Sequence, residues 1–300
     1  MKPRRNDCGQ TAVLTVVFMT VLLGMAAAVL DVGSWYRADR QLQATVDAAA
    51  LAGAQALPES TGDADALARD YAEKNGGGLQ EVSFSTTVLP DDTIEITGER
   101  AAPGFFAKLF GVDSVQVHAS AKARSGILAG ARWAAPIAVD DDHPLLSCRP
   151  APCSEEDTEL ELEKVGPGAF RLINIDGSHG GTGPSILAEW IRSGFDGFMP
   201  LDWYFSDSGA KFNSSQVQDA LDSVIGTELL FPVYDETRGG GANFEYEVIG
   251  WVGFVLTDWE IQGSKKNRIY GHFTRVVWEG IQSETATDDD LGARAVTLIE

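Results

Sequence analysis

An uninterrupted apolar segment near the N-terminus constrains this chain more than any other feature. Residues 11–30 read TAVLTVVFMTVLLGMAAAVL and contain no charged side chain. Twenty helical residues that rise about 1.5 Å each extend about 30 Å, which matches the hydrocarbon core of a bilayer. We therefore predict a single transmembrane helix over residues 11–30, with the membrane lipid bilayer as a partner of the chain.

The charges that flank the apolar segment predict its orientation. Lys2, Arg4 and Arg5 precede the segment, and Asp31 follows it directly. Because basic residues stay on the cytoplasmic side, we predict a cytoplasmic basic head over residues 1–10 and an extracytoplasmic location for the bulk of the chain.

A cleaved secretory signal peptide is the alternative interpretation of the same segment. Ala26-Ala27-Ala28 satisfies the small-x-small pattern of a cleavage site. The apolar run is longer than the roughly 7–15 residues of a typical signal core, and for this reason we favour a retained membrane anchor.

The chain beyond the membrane segment is strongly acidic. The whole chain of 300 residues carries a formal net charge of −21, and because the N-terminal head is basic, the excess of acidic residues lies in the rest of the chain. Such a body repels phosphate backbones, so we expect no nucleic-acid partner. The 44% hydrophobic content is sufficient for a folded core.

A helical stripe follows the membrane segment. Leu42, Val46, Ala49 and Gly53 recur three or four residues apart, which places them on one face of a helix. We predict a nearly continuous helix that runs from the membrane until Pro58 stops it. We expect these four residues to form the face by which the helix packs on a sheet or assembles with a partner.

The next stretch predicts a second helix and a small antiparallel sheet. Ser60 and Thr61 can cap a helix over residues 63–74, which ends at Gly76-Gly77-Gly78. Apolar residues alternate in three strand candidates, and a short amphipathic segment lies at 105–110. The strand candidates are residues 82–88, 94–96 and 115–121. We predict that residues 31–135 form a long helix laid over this sheet.

The remainder divides by composition into a linker, a second domain and a tail. We predict an acidic linker with a cysteine loop at 136–165, a strand-rich extracytoplasmic domain at 166–280, and a loose acidic tail at 281–300. The strand candidates of this domain are 170–175, 229–234, 244–261 and 268–278, and its helix candidates are 186–192 and 215–225. The predicted fold class is thus α+β, with the long transmembrane helix packed on a small antiparallel sheet and followed by a strand-rich second domain.

The predicted topology separates the three cysteines. Cys8 would face the reducing cytoplasm, whereas Cys148 and Cys153 lie in the outer loop SCRPAPCS. An oxidising compartment allows the two outer cysteines to pair, so we predict a disulfide between them and a reduced Cys8. A zinc site is the alternative, although C-x4-C without a second Cys/His pair is a weak metal pattern.

The segment from Cys8 to Pro58 combines Gly9-Gln10 before the apolar run, Asp31-Val32-Gly33 after it, and Leu42-Gln43 followed by the run from Asp47 to Ala54. With these motifs it resembles the N-terminal domain of TadE/TadG-like proteins of the Tad (Flp) pilus assembly system. A second block, residues 103–124, is similar to the strand–helix–strand stretch that follows in such proteins. The resemblance implies a membrane-anchored structural or assembly component and not an enzyme, with other pilus-assembly or pilin-like proteins as partners.

The resemblance has one informative departure. If the chain were processed like a pilin after Gly9, its fifth residue would be Leu14, where pilins carry a glutamate used in subunit assembly. This difference favours an anchored or minor role over that of a major pilus subunit.

The other motifs predict no catalytic, cofactor or metal site. Asp176-Gly177-Ser178-His179-Gly180 begins like the D-x-S-x-S metal motif of von Willebrand A-like domains, which some TadG-like proteins carry. Gly180 removes one oxygen ligand, so we predict a glycine-rich turn with an Asx or Ser hydrogen bond. A calcium site at Asp140-Asp141-Asp142-His143 is a further alternative, but its ligand spacing favours a solvated acidic loop. The four histidines are scattered along the chain and form no catalytic pattern.

Two functional hypotheses follow. The first is a membrane-anchored structural or assembly component of a Tad-like (Flp) pilus or secretion apparatus. The second is a surface binding module or adhesin in which residues 166–280 capture a ligand, with or without a divalent cation. A secreted enzyme is a third possibility that no residue pattern supports.

Overall fold

The computed structural model describes residues 8–162, 164–166, 169–261, 267–285 and 290–299. It forms two compact units, one of Met1–Arg124 with Thr297–Glu300 and the other of Ser125–Val296. The N-terminal unit contains a long apolar helix, and the other unit is rich in strands. The predicted α+β fold class is therefore confirmed.

The N-terminal unit consists of two helices and an antiparallel sheet. Its elements are α1 (Cys8–Ala54), α2 (Thr61–Lys74), β1 (Leu79–Ser85), β2 (Thr93–Pro103) and the first part of β3 (Ser114–Ala131), with a short 3₁₀ helix at Ala107–Phe110. β2 lies between β1 and β3 and pairs with both in antiparallel register. The helix α1 packs on α2 and on β2, as the predicted helix-on-sheet arrangement requires.

Local signals set the ends of the two helices. The last turn after Ala54 continues with bonds to the third preceding carbonyl, from Gln55, Ala56 and Leu57. Pro58 disfavours helical backbone in the residue before it, so regular α-helix ends three residues earlier than predicted. Ser60 is the N-cap of α2 and its Oγ accepts a hydrogen bond from the Asp63 N–H at 3.1 Å, which confirms the predicted cap.

The second unit is built around a mixed sheet. Its elements after β3 are β4 (Val139–Asp140), β5 (Thr158–Glu161), β6 (Lys164–Gly166), β7 (Ala169–Phe170), α3 (Pro184–Ser193), β8 (Met199–Pro200), β9 (Trp203–Phe205), α4 (Ser215–Ser223), β10 (Glu228–Arg238), β11 (Glu245–Ile261), β12 (Asn267–Thr274), β13 (Val276–Val277), β14 (Gly280–Gln282) and β15 (Ala293–Leu298). The largest sheet of this unit has the order β4-β10-β11-β12-β5, and β9 pairs with β11. The helices α3 and α4 pack against each other, at the two places where the sequence predicts helices.

Aromatic side chains fill the core of the second unit. Phe231 stacks on Phe254 with ring centroids 5.0 Å apart, and Phe254 meets Phe273 edge-on at 5.2 Å. These three rings come from β10, β11 and β12, whose strands are paired in antiparallel register. Offset and edge-on aromatic pairs stabilise a core beyond their buried area alone.

The acidic stretch that the sequence analysis treats as a linker supplies core residues to this unit. Leu146, Ala151, Leu160 and Leu162 are all buried. Residues 158–161 form β5 along the edge of β12, so Leu160 points into the core while its acidic neighbours point outward. Because this stretch carries many charges, the alternation of buried and exposed side chains in β5 was not recognised in the sequence as a strand.

The expected loose tail also contains ordered structure. Residues 293–298 form β15, and Leu291, Ala293 and Ala295 are buried. Asp290 is buried and pairs with the buried Arg294. The aspartates at 288 and 289 lie outside the described residues.

Candidate functional site

The N-terminal half of α1 is an exposed apolar cylinder. Its large side chains from Val13 to Leu30 are each about half exposed or more. The hydroxyls of Thr15 and Thr20 donate to the carbonyls four residues earlier, Thr11 and Val16, at 2.8 and 2.9 Å. Because of these bonds, both hydroxyls would keep a hydrogen-bond partner in an apolar solvent such as lipid. By length and composition, α1 contains one segment that can cross a membrane.

The C-terminal half of α1 is covered by the N-terminal unit. Leu42, Val46 and Ala49 have no exposed surface. A Cβ atom placed on Gly98 of β2 would lie only 2.8 Å from Val46 Cγ1 and 3.1 Å from Leu42 Cδ1. The missing side chain at Gly98 therefore lets the helix approach the strand closely, a feature that the sequence analysis did not identify.

Gly53 completes this stripe at the end of the helix. A Cβ atom there would lie 2.6 Å from Ile94 Cδ1 of β2 and 2.9 Å from the Ala64 carbonyl of α2. The helix thus contacts the sheet and α2 at one point where only glycine fits. The four stripe residues predicted from the sequence lie together on this packed face.

Polar side chains next to the stripe attach α1 to its neighbours. Gln43 Nε2 donates to the Ser120 carbonyl of β3 at 2.9 Å and to Asp47 Oδ1 at 2.7 Å. The buried Thr45 hydroxyl lies 2.9 Å from the carbonyl of Asn75, which caps α2. These bonds fix the rotation of the helix about its own axis.

A family comparison covers both halves of this helix. Residues 9–56 match the family model described as "Putative Flp pilus-assembly TadE/G-like". The N-terminal segment is similar to TadE/G-like pilus-assembly proteins. This match confirms the resemblance of the N-terminal segment; it ends just after α1 and does not include residues 103–124. No curated protein and no solved structure matches the chain.

Asp31 is the first buried residue after the largely exposed residues 11–30 of α1 and is 3% exposed. Its carboxylate accepts hydrogen bonds from the backbone N–H groups of Phe105, Phe106 and Ala107, at distances of 2.5–3.1 Å. From the sequence alone, Asp31 indicates membrane orientation and contributes to the resemblance to TadE/TadG-like proteins. Its partners lie 74 to 76 residues away, so no local pattern could identify them.

The loop that resembles a metal motif forms a turn. Asp176 is exposed, and its Oδ1 accepts a hydrogen bond from the Ser178 N–H at 2.9 Å, which is the predicted Asx turn. His179 Nε2 lies 2.7 Å from Asn243 Oδ1, so its ring faces another loop. Within the described parts of the chain, no three His, Cys, Asp or Glu residues converge as a metal site would require.

The acidic run near position 140 is dispersed among separate partners. Asp140 accepts a hydrogen bond from the Tyr234 hydroxyl at 2.7 Å, whereas Asp141 pairs with Arg149 at 2.9 Å. His143 Nδ1 accepts the Leu145 N–H at 3.2 Å. Burial lowers the pKa of His143, the charge of Arg171 lowers it further, and Asp140 opposes both.

A disulfide joins Cys148 to Cys153, with Cα atoms 5.5 Å apart. Between them, Ala151 is fully buried in the core of the second unit. The Arg275 guanidinium donates to the carbonyls of Ala151 and its two neighbouring prolines at 3.3–3.4 Å. The disulfide, the buried Ala151 and the hydrogen bonds from Arg275 thus hold this loop together. The side chain of Cys8 lies outside the described residues.

Proposed function

We propose that this protein is a membrane-anchored assembly component of a Tad-like (Flp) pilus or secretion apparatus. Residues 11–30 cross the cell membrane once, the N-terminus lies in the cytoplasm, and the bulk of the chain beyond residue 30 lies outside. Its partners are the lipid bilayer and other pilus-assembly or pilin-like proteins.

One observation carries this proposal. A single unbroken helix, matched to the TadE/G-like family over residues 9–56, has one half exposed and apolar and the other half packed into a folded unit. Such a helix joins a membrane rigidly to a folded body, because its backbone hydrogen bonds transmit a force or a displacement from one end of the helix to the other. An assembly component needs this connection, since its partners gather at the membrane.

Two further features support the orientation. The disulfide between Cys148 and Cys153 is stable in an oxidising compartment and is rare in the cytosol. Basic residues precede the membrane segment and none lies in residues 6–36, as expected for a cytoplasmic N-terminus. Both features agree with an extracytoplasmic body, and we assign no catalytic residue, cofactor or metal to it.

The experiment is a gene deletion with two complementing alleles. The full-length allele is expected to restore surface pili, while an allele with Leu22→Lys is expected to fail because a lysine at mid-membrane costs about 2.5–3.5 kcal/mol of insertion free energy. Leu67→Lys, at an exposed residue of α2, is the control that should still restore pili. Membrane fractions of each strain show whether the variants remain anchored.

Normal piliation in the deletion strain would contradict the assembly role. If the deletion strain has normal pili but loses an attachment to a surface that in the parent strain depends on Ca²⁺ or Mg²⁺, the adhesin alternative replaces the assembly role.

A further inference from the structure

An exposed apolar turn lies between β2 and β3 in the N-terminal unit. Phe105 is 65% exposed, Leu109 82% and Phe110 85%, and Phe106 and Val112 are each 41% exposed. Lys108 is the one charged residue between Phe105 and Val112. In water, an apolar cluster of this kind is a site for association or aggregation. We call residues 105–112 the apolar turn.

The apolar turn is fixed beside the membrane half of α1. The Asp31 carboxylate accepts three consecutive backbone N–H groups at the start of the turn, at Phe105, Phe106 and Ala107. Trp35, one helical turn further along α1, donates its Nε1–H to the Pro103 carbonyl at 3.3 Å. Two successive turns of the helix therefore hold the base of the apolar turn.

The apolar turn lies beside the part of α1 for which we propose a membrane location. Phe106, Leu109 and Phe110 line one groove together with α1 residues from Thr20 to Trp35, including Gly24 and Ala27. Thr20 precedes Asp31 by about 16 Å along the helix axis, which is roughly half the hydrocarbon thickness. The groove thus extends from the end of the proposed membrane segment toward its middle.

We propose that the apolar turn inserts into the bilayer leaflet nearest the folded units and forms a second membrane contact beside α1. Its occupant is lipid: acyl chains cover Leu109 and Phe110 and fill the groove against α1. This inference rests on the membrane anchor of the proposed function, and not on the role in pilus assembly.

Two observations favour lipid over a protein partner. The exposed surface of the turn is continuous, through the groove, with the exposed apolar surface of residues 20–30, so one solvent covers both. Phenylalanine, leucine and lysine are residue types that occur in segments that lie in the membrane interface. Lys108 can extend its ammonium to the headgroups while its neighbours stay among the acyl chains.

The test measures depth with an environment-sensitive fluorophore on single cysteines. Full-length protein with Cys8→Ser, in which Cys148 and Cys153 remain paired, is reconstituted into vesicles of phosphatidylethanolamine and phosphatidylglycerol. The probe is placed at Phe110→Cys, at Phe18→Cys within the membrane segment, and at Ala66→Cys, which is exposed on α2. Quenching is measured with aqueous iodide and with acyl-chain spin labels.

We expect the probe at position 110 to be quenched by the acyl-chain labels and to be several-fold less accessible to iodide than the probe at position 66. If position 110 is as accessible to iodide as position 66 while position 18 is protected, the turn lies in water and the inference is wrong. If position 18 is also accessible, the membrane anchor itself is wrong, and the inference fails with it.

Asp31 provides an independent test of how the turn is positioned. Asp31→Ala removes the acceptor of three backbone N–H groups, so we expect the probe at position 110 to gain iodide accessibility while the probe at position 18 does not change. Asp39→Ala, eight residues further along the same helix, is the matched control. Equal protection of position 110 in both variants would show that Asp31 does not hold the turn in the membrane.

Discussion

The two halves of α1 belong to one helix but have opposite surroundings. Residues 11–30 expose bulky valine, leucine, phenylalanine and methionine side chains, whereas the covered half buries Leu42, Val46, Ala49 and Ala50. Close contact between a helix and a strand requires small residues, and Gly53 and Gly98 provide them. Fluid lipid has no such requirement, so at the proposed membrane location the exposed half can be apolar on every side.

This difference shows that helix continuity and helix environment are set separately. Backbone hydrogen bonds continue through residues 8–54 regardless of what surrounds the helix. Side-chain size and the buried Asp31 mark where the exposed apolar half gives way to the covered half. Substitutions on the two halves should therefore affect different properties, stability in one half and membrane depth in the other.

The largest expected effect comes from a charge in the covered half. Ala49→Glu buries a carboxylate without a partner, which costs about 3–5 kcal/mol. Amide hydrogen exchange in residues 42–54 of protein in lipid nanodiscs should report this loss as faster exchange. Ala44→Glu, on the exposed side of the same helix, is the control and should change stability by no more than about 0.5 kcal/mol. Equal exchange rates in the two variants would mean that the stripe faces solvent.

Two glycines of α1 give the next largest contrast. Gly53→Ala places a Cβ 2.9 Å from the Ala64 backbone carbonyl, and we expect this overpacking to cost about 1–3 kcal/mol. Gly33→Ala meets no atom within 4 Å and should stabilise the helix by about 0.5–1 kcal/mol. Thermal unfolding in detergent compares the two variants. Shifts of the same sign would contradict the assignment of Gly53 to a packed position.

A smaller change in stability is expected from Asp92, which lies in the turn between β1 and β2 of the sheet that covers the helix. Burial raises the pKa of Asp92, but hydrogen bonds from the Leu89, Thr87 and Val88 N–H groups and the Thr93 hydroxyl lower it more, so the net shift is downward. Because the folded-state pKa lies below the unfolded value, this stabilisation is complete above about pH 4 and is lost as the pH falls through the folded pKa.

Asp92→Asn tests this pH dependence. We expect it to reduce the stability of the N-terminal unit at neutral pH by about 1–3 kcal/mol and to flatten its stability profile below pH 4. Asp91→Asn, in the same turn and exposed, is the control. An unchanged acid profile in Asp92→Asn would mean that other carboxylates determine the acid sensitivity.

The smallest expected effect on α1 comes from the disulfide. Replacement of Cys148 and Cys153 by serine should lower the stability of the second unit by about 2 kcal/mol, because the closed loop is short. Exchange in both halves of α1 should not change. Alkylation without reductant should modify neither cysteine in the native protein, and modification of both would show that the disulfide does not form.

Local signals predicted much of this fold, and distant contacts account for what was missed. The Ser60 cap, the two helices near 190 and 220, and the long strands of the second unit all follow from residues close in sequence. By contrast, β5 was hidden because Glu159 and Glu161 flank Leu160 in an acidic stretch. The contacts of Asp31 with the apolar turn and of Gly98 with the stripe join distant residues, which no periodicity within one segment can show.

The central claim is that residues 11–30 stay attached as a membrane-spanning segment. The most direct measurement is alkaline carbonate extraction of membranes, followed by intact mass spectrometry of the protein in each fraction. Our account predicts that the protein remains in the membrane pellet with residues 11–30 present. A soluble mature form that begins at Val29 would contradict the account, because it would show that the segment is a cleaved signal peptide.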